Sequence, residues 1–330
     1  AADAATLRAA MTDDREQLRA LLFEQYLFEL QWSGLKSYAN ERGIFLFGDL
    51  PFYVDRNSVE VWWQRDLFAL DANDEPVAVA GVPPDYFNAE GQLWGNPLYD
   101  WEAMRRSGFR WWQERMREQL MRFDLVRIDH FRALESYWEV PATAPSARVG
   151  RWRRGAGDAL LAALNAELGT MPLVAEDLGL ITDAVRELRD RFELPGMVVL
   201  QFAFDGSADN PHLPRHHRRN AVVYTGTHDN DTTVGWYAAL DSHARDVVHG
   251  MLGLGPTPPV PEFLIEQAYA SNAALAIVPM QDLLARDSGA RMNTPGTVVG
   301  NWRWRFEWDD VPASLAAASR ERAARAGRAG

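Results

Sequence analysis

The 330-residue chain carries a formal charge of −12, from 34 basic and 46 acidic residues, and is 47% hydrophobic. That size and apolar content allow one large α/β barrel or two average domains around a substantial core, while the acidic balance argues against nucleic acid or an anionic membrane surface as partner and fits a neutral ligand. There is no cysteine, which excludes disulfides and thiolate chemistry and is compatible with a cytoplasmic protein.

No apolar run approaches the roughly 18–20 residues of a membrane span. The N-terminus lacks the basic-then-apolar pattern of a signal peptide. It also lacks an initiator Met, which fits a trimmed chain or a fragment. Thirteen Trp is high for this length, and many stand in polar surroundings, among them Trp62, Trp63, Trp94, Trp302 and Trp304. Core filling is the ordinary use of such rings. A flat apolar plate for the C–H face of a sugar, with polar neighbours for the hydroxyls, is the alternative.

In chain order, residues 6–41 are predicted helical. Leu18, Leu21, Leu22, Phe28, Trp32, Leu35 and Ala39 recur at helical spacing, and Gly43 marks the stop. Ile44-Phe45-Leu46-Phe47 is predicted as a short buried strand ending at Gly48-Asp49. Residues 51–99 are rich in Pro, Gly, Asp and Asn and are expected to form a long inserted loop region of functional kind. It holds one helix, with Asn57 and Glu60 in capping-box positions, and a small strand near Val77-Ala78-Val79. Residues 100–122 are predicted as a single helix. Leu125-Val126-Arg127-Ile128 follows as a strand that runs into Asp129, His130 and Arg132. A buried strand can carry such charge only where it emerges into a cleft.

Residues 133–155 are predicted as a polar loop. A helix over 157–168, the strand Pro172-Leu173-Val174-Ala175 ending in Glu176-Asp177, and a helix over 182–191 come next. Further strands are predicted at 197–202, at 222–225 before His228-Asp229-Asn230, and at 274–278. Helices are expected near 232–252 and 261–271, with a helix or tail over 311–327. The repeated strand, loop, helix pattern with continuous apolar strands indicates a parallel sheet covered by helices. The expected architecture is a (β/α)₈ TIM-type barrel, with catalytic groups at the C-terminal strand ends. A doubly wound open sheet is the rival, but no G-x-G-x-x-G or P-loop pattern follows any strand. Only six strands are found where a closed barrel needs eight, so the barrel is expected to be incomplete. The predicted organisation is a helical segment over 1–43, the partial barrel over 44–310 with the insertion 51–99, and a C-terminal helix or tail over 311–330.

Three carboxylates at strand ends, Asp129, Glu176 and Asp229, lie 47 and 53 residues apart. This leaves room for a strand, a loop and a helix between them, so that all three could face one cleft. Convergent carboxylates suit glycosyl transfer, in which one is ionised at the anomeric carbon and another stays protonated for the leaving oxygen. Arg127 shares a strand face with Asp129 and would favour its ionised form. Glu176 follows Val174-Ala175, an apolar setting that would raise its pKa. For each carboxylate alone, a helix cap or salt bridge is the ordinary alternative. His130 and His228 raise metal binding, which the absence of a tight ligand cluster disfavours. A Ser-His-Asp triad lacks its G-x-S-x-G elbow.

Val126–Arg132, Ala175-Glu176-Asp177-Leu178-Gly179 and Thr225–Thr232 resemble motifs of the amylomaltases, or 4-α-glucanotransferases, of the α-amylase superfamily. So do Gly48–Val54, Ala80–Phe87, Gly91–Tyr99, Leu134–Pro141 and Asn301–Arg305. The ordered set covers about residues 20–306 and is specific where its single tripeptides are not. The resemblance implies transfer of α-1,4-glucan segments between maltooligosaccharides by a retaining double displacement, with no metal or organic cofactor. It implies Asp129 as nucleophile, Glu176 as acid/base, and Asp229 with His228 as groups that bind the distorted ring. Arg127 would orient Asp129, Trp94 and Asn96 would line subsites, and Asp85 and Tyr86 would belong to the same loop wall. The family pattern begins upstream with two further strands, in keeping with the six-strand count. Leu213–Arg219 departs from the family's more usual sequence before the seventh strand. A hydrolase, or a non-catalytic glucan-binding chain, is the competing expectation.

Overall fold

The computed structural model describes residues 12, 14–84, 89–253 and 260–328. The chain divides into two compact units, Ala1–Leu194 and Pro195–Gly330.

The first unit opens with α1 (Arg15–Asn40), after which Gly43 takes the left-handed conformation expected of a stop residue. The first strand, β1, is Phe47–Leu50, three residues later than the apolar run at 44–47 suggests, and Ile44 and Phe45 are exposed. Pairing decides the register. β1 lies parallel to β4 (Leu125–Ile128) with Phe47 opposite Leu125, and β4 lies parallel to β7 (Leu173–Ala175). Gly48 is needed in β1, because a Cβ there would stand 2.3 Å from the Phe123 ring.

Asp124 fixes this start. Its carboxylate accepts from the Leu46 N–H (2.8 Å) and Asn40 Nδ2 (3.0 Å) and pairs with Lys36 (3.4 Å). Partial burial works against its charge, but these donors outweigh burial and hold its pKa below the usual value. Asp124→Ala is therefore expected to cost about 2 kcal/mol of unfolding free energy, the scale of hydrogen bonds to a charged group. Because the folded-state pKa is lowered, the Asp124 contribution is present above the carboxylate's ordinary pKa and fades as pH falls. A denaturant titration of both proteins near neutral pH and near pH 3 checks both points, and an unchanged difference between the two would refute the charge argument.

The 51–99 insertion holds the predicted helix and the predicted strand near 77–79, but it and the 133–155 segment also supply strands where loop is expected. The insertion begins with the short α2 (Val59–Trp63), capped by Ser58 Oγ on the Val61 N–H rather than by Asn57. It then contributes β2 (Ala78–Val82) and β3 (Gln92–Pro97). Residues 133–155 contribute β5 (Ser136–Pro141) and β6 (Arg151–Arg154). Together they form an antiparallel sheet in the order β3-β2-β5-β6. Its β6 is wholly exposed and reads Arg-Trp-Arg-Arg, a polar edge without period-two patterning. The helix predicted over 100–122 is broken into α3 (Trp101–Arg106) and α4 (Arg110–Arg122) by Gly108 and the left-handed Phe109. α5 (Gly157–Leu168) and α6 (Asp183–Arg191) fall where predicted. The core joins Leu50, Val126, Ile128, Leu173 and Ala175 to helix residues such as Trp112, Met116, Leu160 and Leu164.

The second unit holds a parallel sheet in the order β8-β9-β10 (Gly196–Val199, Ala221–Tyr224, Leu275–Ile277). The predicted helix over 232–252 is two, α7 (Thr233–Ala239) and α8 (Ser242–Leu252), the second capped by Asp241 on the Ala244 N–H. α9 (Glu262–Ala270), α10 (Met280–Leu283) and α11 (Leu315–Arg325) complete it. The six predicted barrel strands thus correspond to two parallel triplets, one in each unit. Among the described residues no helix is long and apolar enough to cross a membrane.

Candidate active site

In the first unit, parallel register brings three strand ends together. Asp49 is opposite Arg127, and Ile128 is opposite Ala175, so the residues that follow, Asp129 and Glu176, leave adjacent strands at one edge. The backbone ladder continues past the strands, with Asp129 N–H on Leu50 O and Glu176 N–H on Ile128 O, each 3.0 Å.

Arg127 is buried and faces two carboxylates. Its Nε and Nη2 bond Asp49 Oδ1 and Oδ2 at 2.8 and 2.6 Å, and Nη2 also reaches Asp129 Oδ1 at 3.1 Å. Burial opposes the Arg127 charge, but Asp49, then Asp129 and Glu176, outweigh it and raise its pKa. The guanidinium is therefore ionised and fixed, as bidentate carboxylate pairing provides. The expected contact between Arg127 and Asp129 is present, but the stronger partner is Asp49. Sequence reasoning missed Asp49 as a site residue. Its signal was a carboxylate at a strand end, and only the register revealed whom it meets.

Glu176 is partly buried. Its Oε2 accepts from the His130 N–H (2.8 Å) and its Oε1 from the Leu178 N–H (3.0 Å). Burial, followed by the charge of Asp129, raises its pKa to about 7, against the opposing pull of Arg127 and the two amide donors. Glu176 can therefore give or take a proton near neutrality, the condition for general acid–base work. His130 turns sharply, with φ 49° and ψ 45°, to present its N–H. Burial, then Arg132, pushes its imidazole down to about 3, so the ring is neutral. Trp94 from β3 stands edge-on to that ring at 4.8 Å and is partly exposed. Asn96 donates to Val54 O at 2.9 Å, bracing the segment after β1. Asp85 and Tyr86 lie outside the described residues.

In the second unit, β9 leads into a loop carrying His228 and Asp229. Asp229 Oδ1 accepts from Asn293 Nδ2 (2.5 Å), its carbonyl accepts from Arg291 Nη2 (2.7 Å), and Oδ2 lies 3.6 Å from His228 Nε2. The Asn293 N–H also donates to the His228 carbonyl (3.1 Å). Trp302, in the left-handed region at φ 59°, sets its ring 5.2 Å from that of His228. A cavity of about 160 Å³ opens beside them, lined by His228, Asp231, Gln281, Asp282, Arg291 and Trp302 among others. Asn293 and Arg291 were not read as site residues from sequence. Among the described residues no group of three or more His, Cys, Asp or Glu side chains could hold a metal ion.

Residues 1–310 match the sequence profile described as 4-alpha-glucanotransferase. The chain belongs to the 4-alpha-glucanotransferase family. The chloroplastic/amyloplastic 4-alpha-glucanotransferase DPE1 of Arabidopsis thaliana is 45% identical over 300 residues, 91% of this chain and 52% of that protein. The 4-alpha-glucanotransferase of Synechocystis is 50% identical over 292 residues, 88% of this chain and 58% of that protein. The chain thus spans little more than half the length of these relatives. Among solved structures, an amylomaltase from Streptococcus agalactiae in complex with acarbose matches with a TM-score of 0.93 at 36% identity, covering 98% of this chain and 66% of that one. An amylomaltase from Corynebacterium glutamicum matches with a TM-score of 0.75 at 21% identity, covering 96% of this chain and 51% of that one, a likeness of fold. The α/β fold of this family member is therefore of the TIM-barrel type.

Proposed function

We propose that this chain transfers α-1,4-glucan segments between maltooligosaccharides by a retaining double displacement. The observation that carries the reading is the pair of unlike carboxylates at neighbouring strand ends, with Arg127 against Asp129 and Glu176 poised to titrate near pH 7. In the first step Asp129 attacks the anomeric carbon while the Glu176 proton goes to the departing glycosidic oxygen, leaving a glycosyl-enzyme ester. In the second, Glu176 takes the proton of the acceptor's hydroxyl, whose oxygen attacks the same anomeric carbon, forming the new glycosidic bond and breaking the bond to the Asp129 oxygen, which frees the carboxylate. Asp49 shares the Arg127 Nη2 donor with Asp129, so the guanidinium supports Asp129 while it is held by a second carboxylate.

Asp229 and His228 are proposed to bind the distorted sugar ring. Trp94 is proposed as an apolar plate for a flanking sugar, and Asn96 as a support of the same wall. Asp85 and Tyr86 belong to that wall in the same proposal. An acarbose complex of the Streptococcus agalactiae relative supports an oligosaccharide of this kind as ligand. No metal or cofactor enters the proposed steps, and neither nucleic acid nor a membrane is a proposed partner. The proposed source glucans are starch- or glycogen-type polymers and the proposed location is the cytoplasm, although plant relatives are named as chloroplastic/amyloplastic.

Incubation with maltotriose tests the reaction. Longer oligosaccharides together with free glucose are expected. Shorter products alone mean hydrolysis, and binding without any product means a glucan-binding chain. Either result would overturn the proposal.

A further inference from the structure

Both ends of the loop that carries His228 and Asp229 are tied to one buried carboxylate. Asp282, in α10 just after β10, is 1% exposed. It accepts from Thr225 Oγ1 at 2.6 Å, where β9 ends. It also accepts from the Thr233 N–H at 2.7 Å and Thr233 Oγ1 at 2.8 Å, where α7 begins. Thr225 and Thr233 are themselves fully buried. Burying a carboxylate among hydroxyls and an amide is costly, and burial raises its pKa despite these donors. The proposed chemistry gives this group no proton to move and no sugar to touch.

The surroundings add to the clamp. Asp231 Oδ1 takes the Thr232 N–H and Oδ2 takes Ser288 Oγ, each at 2.7 Å. Gly235 passes so close that a Cβ would stand 2.2 Å from Ser288 Oγ. Between the two tied ends, Thr227 bonds Asn230, while Asn293 and Arg291 hold Asp229. The loop therefore has little freedom except through its two anchors.

We propose that Asp282 is a positioning residue for glucan transfer: by joining Thr225 to Thr233 it fixes the loop so that His228 and Asp229 meet the sugar in one geometry. This rests on the proposed role of Asp229. The test is a double-mutant cycle on the full chain with maltotriose, using Asp282→Ala, Asp229→Asn and the two combined. Asp282→Ala is expected to lower kcat roughly 30- to 100-fold, the scale of a misplacement of about an ångström, with KM changed less than about threefold. Asp282→Asn keeps an acceptor for the Thr233 N–H and offers two donors to the hydroxyls, so it is expected to retain kcat to within about fivefold. In the Asp229→Asn background, Asp282→Ala is expected to add much less than its loss in the parent, because one of the two groups it positions has already lost its carboxylate.

Wild-type kcat in Asp282→Ala, or losses that multiply in the double variant, would overturn the proposal. Wild-type kcat in Asp229→Asn alone would overturn the reading of Asp229, a separate failure. If Asp282→Ala does not fold, Thr225→Val replaces it in the cycle. Removing that single tie is expected to cost roughly tenfold in kcat, with the same non-additivity as the signature.

Discussion

Asp129→Asn is expected to reduce transfer from maltotriose by at least about 10⁴-fold, the scale seen when a catalytic nucleophile is removed, while leaving oligosaccharide affinity within a few-fold. The fold has no reason to suffer. The bond from residue 129 to Leu50 O is a backbone bond, and an asparagine oxygen can still accept from Arg127 Nη2. The side chain is also partly open to solvent, so no cavity is made. An independent effect follows from the same substitution. The charge of Asp129 is the second cause, after burial, of the raised pKa of Glu176, so the Glu176 pKa is expected to fall from about 7 toward the ordinary carboxylate range. Kinetics with binding measured by calorimetry, and a pH titration of the Glu176 carboxyl by carbon NMR, check the two effects separately. Turnover within tenfold of the parent would remove Asp129 from its role whatever the titration shows.

The second large effect concerns Glu176. With its folded-state pKa at about 7, the protonated form needed for the first step is lost as pH rises through neutrality, and kcat/KM is expected to fall on that side. Glu176→Gln should lower transfer by roughly 10²–10⁴-fold and remove this limb. A maltosyl donor with a fluoride leaving group needs no proton, so formation of the glycosyl-enzyme should be largely restored in the variant. A variant equally impaired with both donors would refute the acid role.

Stability carries the same signature with a definite sign. Between the ordinary glutamate value of 4.5 and about 7 the folded protein binds the Glu176 proton more tightly than the unfolded chain does. This contribution is therefore fully present below about 4.5 and is lost as pH rises through 7. Relative to Glu176→Gln, the parent should lose on the order of 3 kcal/mol of unfolding free energy across that window. Parallel unfolding curves at pH 4.5 and 8 check it, and a constant difference between the proteins would refute it.

Much of the parallel sheet was legible in the chain. The run ending at Ala175 and the segment Ala221–Tyr224 are continuous and apolar, Leu125–Ile128 is apolar but for Arg127, and each is closed by charge or polar loop residues. Such strands announce themselves because both faces must be dry. Of the antiparallel sheet only β2 was legible, as the small strand near Val77-Ala78-Val79; its other strands were not. Those strands mix Trp, Arg, Glu and Pro, and β6 is exposed throughout. These residues are held by cross-strand bonds rather than by a period that a single strand displays. The start of β1 was misplaced for a related reason. Ile44-Phe45 has the stronger apolar signal, but pairing with Leu125 and the Asp124 hold on the Leu46 N–H begin the strand at Phe47.

The chemistry at hand can be read from the chain alone: which carboxylates end strands, that an arginine stands two residues before Asp129, and which family the ordered motifs resemble. Tertiary structure decided how that chemistry is held. Whether Arg127 serves Asp129 alone or is shared with Asp49, and whether Glu176 is charged near pH 7, depend on strand register and on exclusion of water. So does the joining of Thr225 to Thr233 by Asp282. Electrostatic energies vary with distance and with the surrounding medium, and residues 78 apart in sequence, such as Asp49 and Arg127, acquire a distance only when their strands pair.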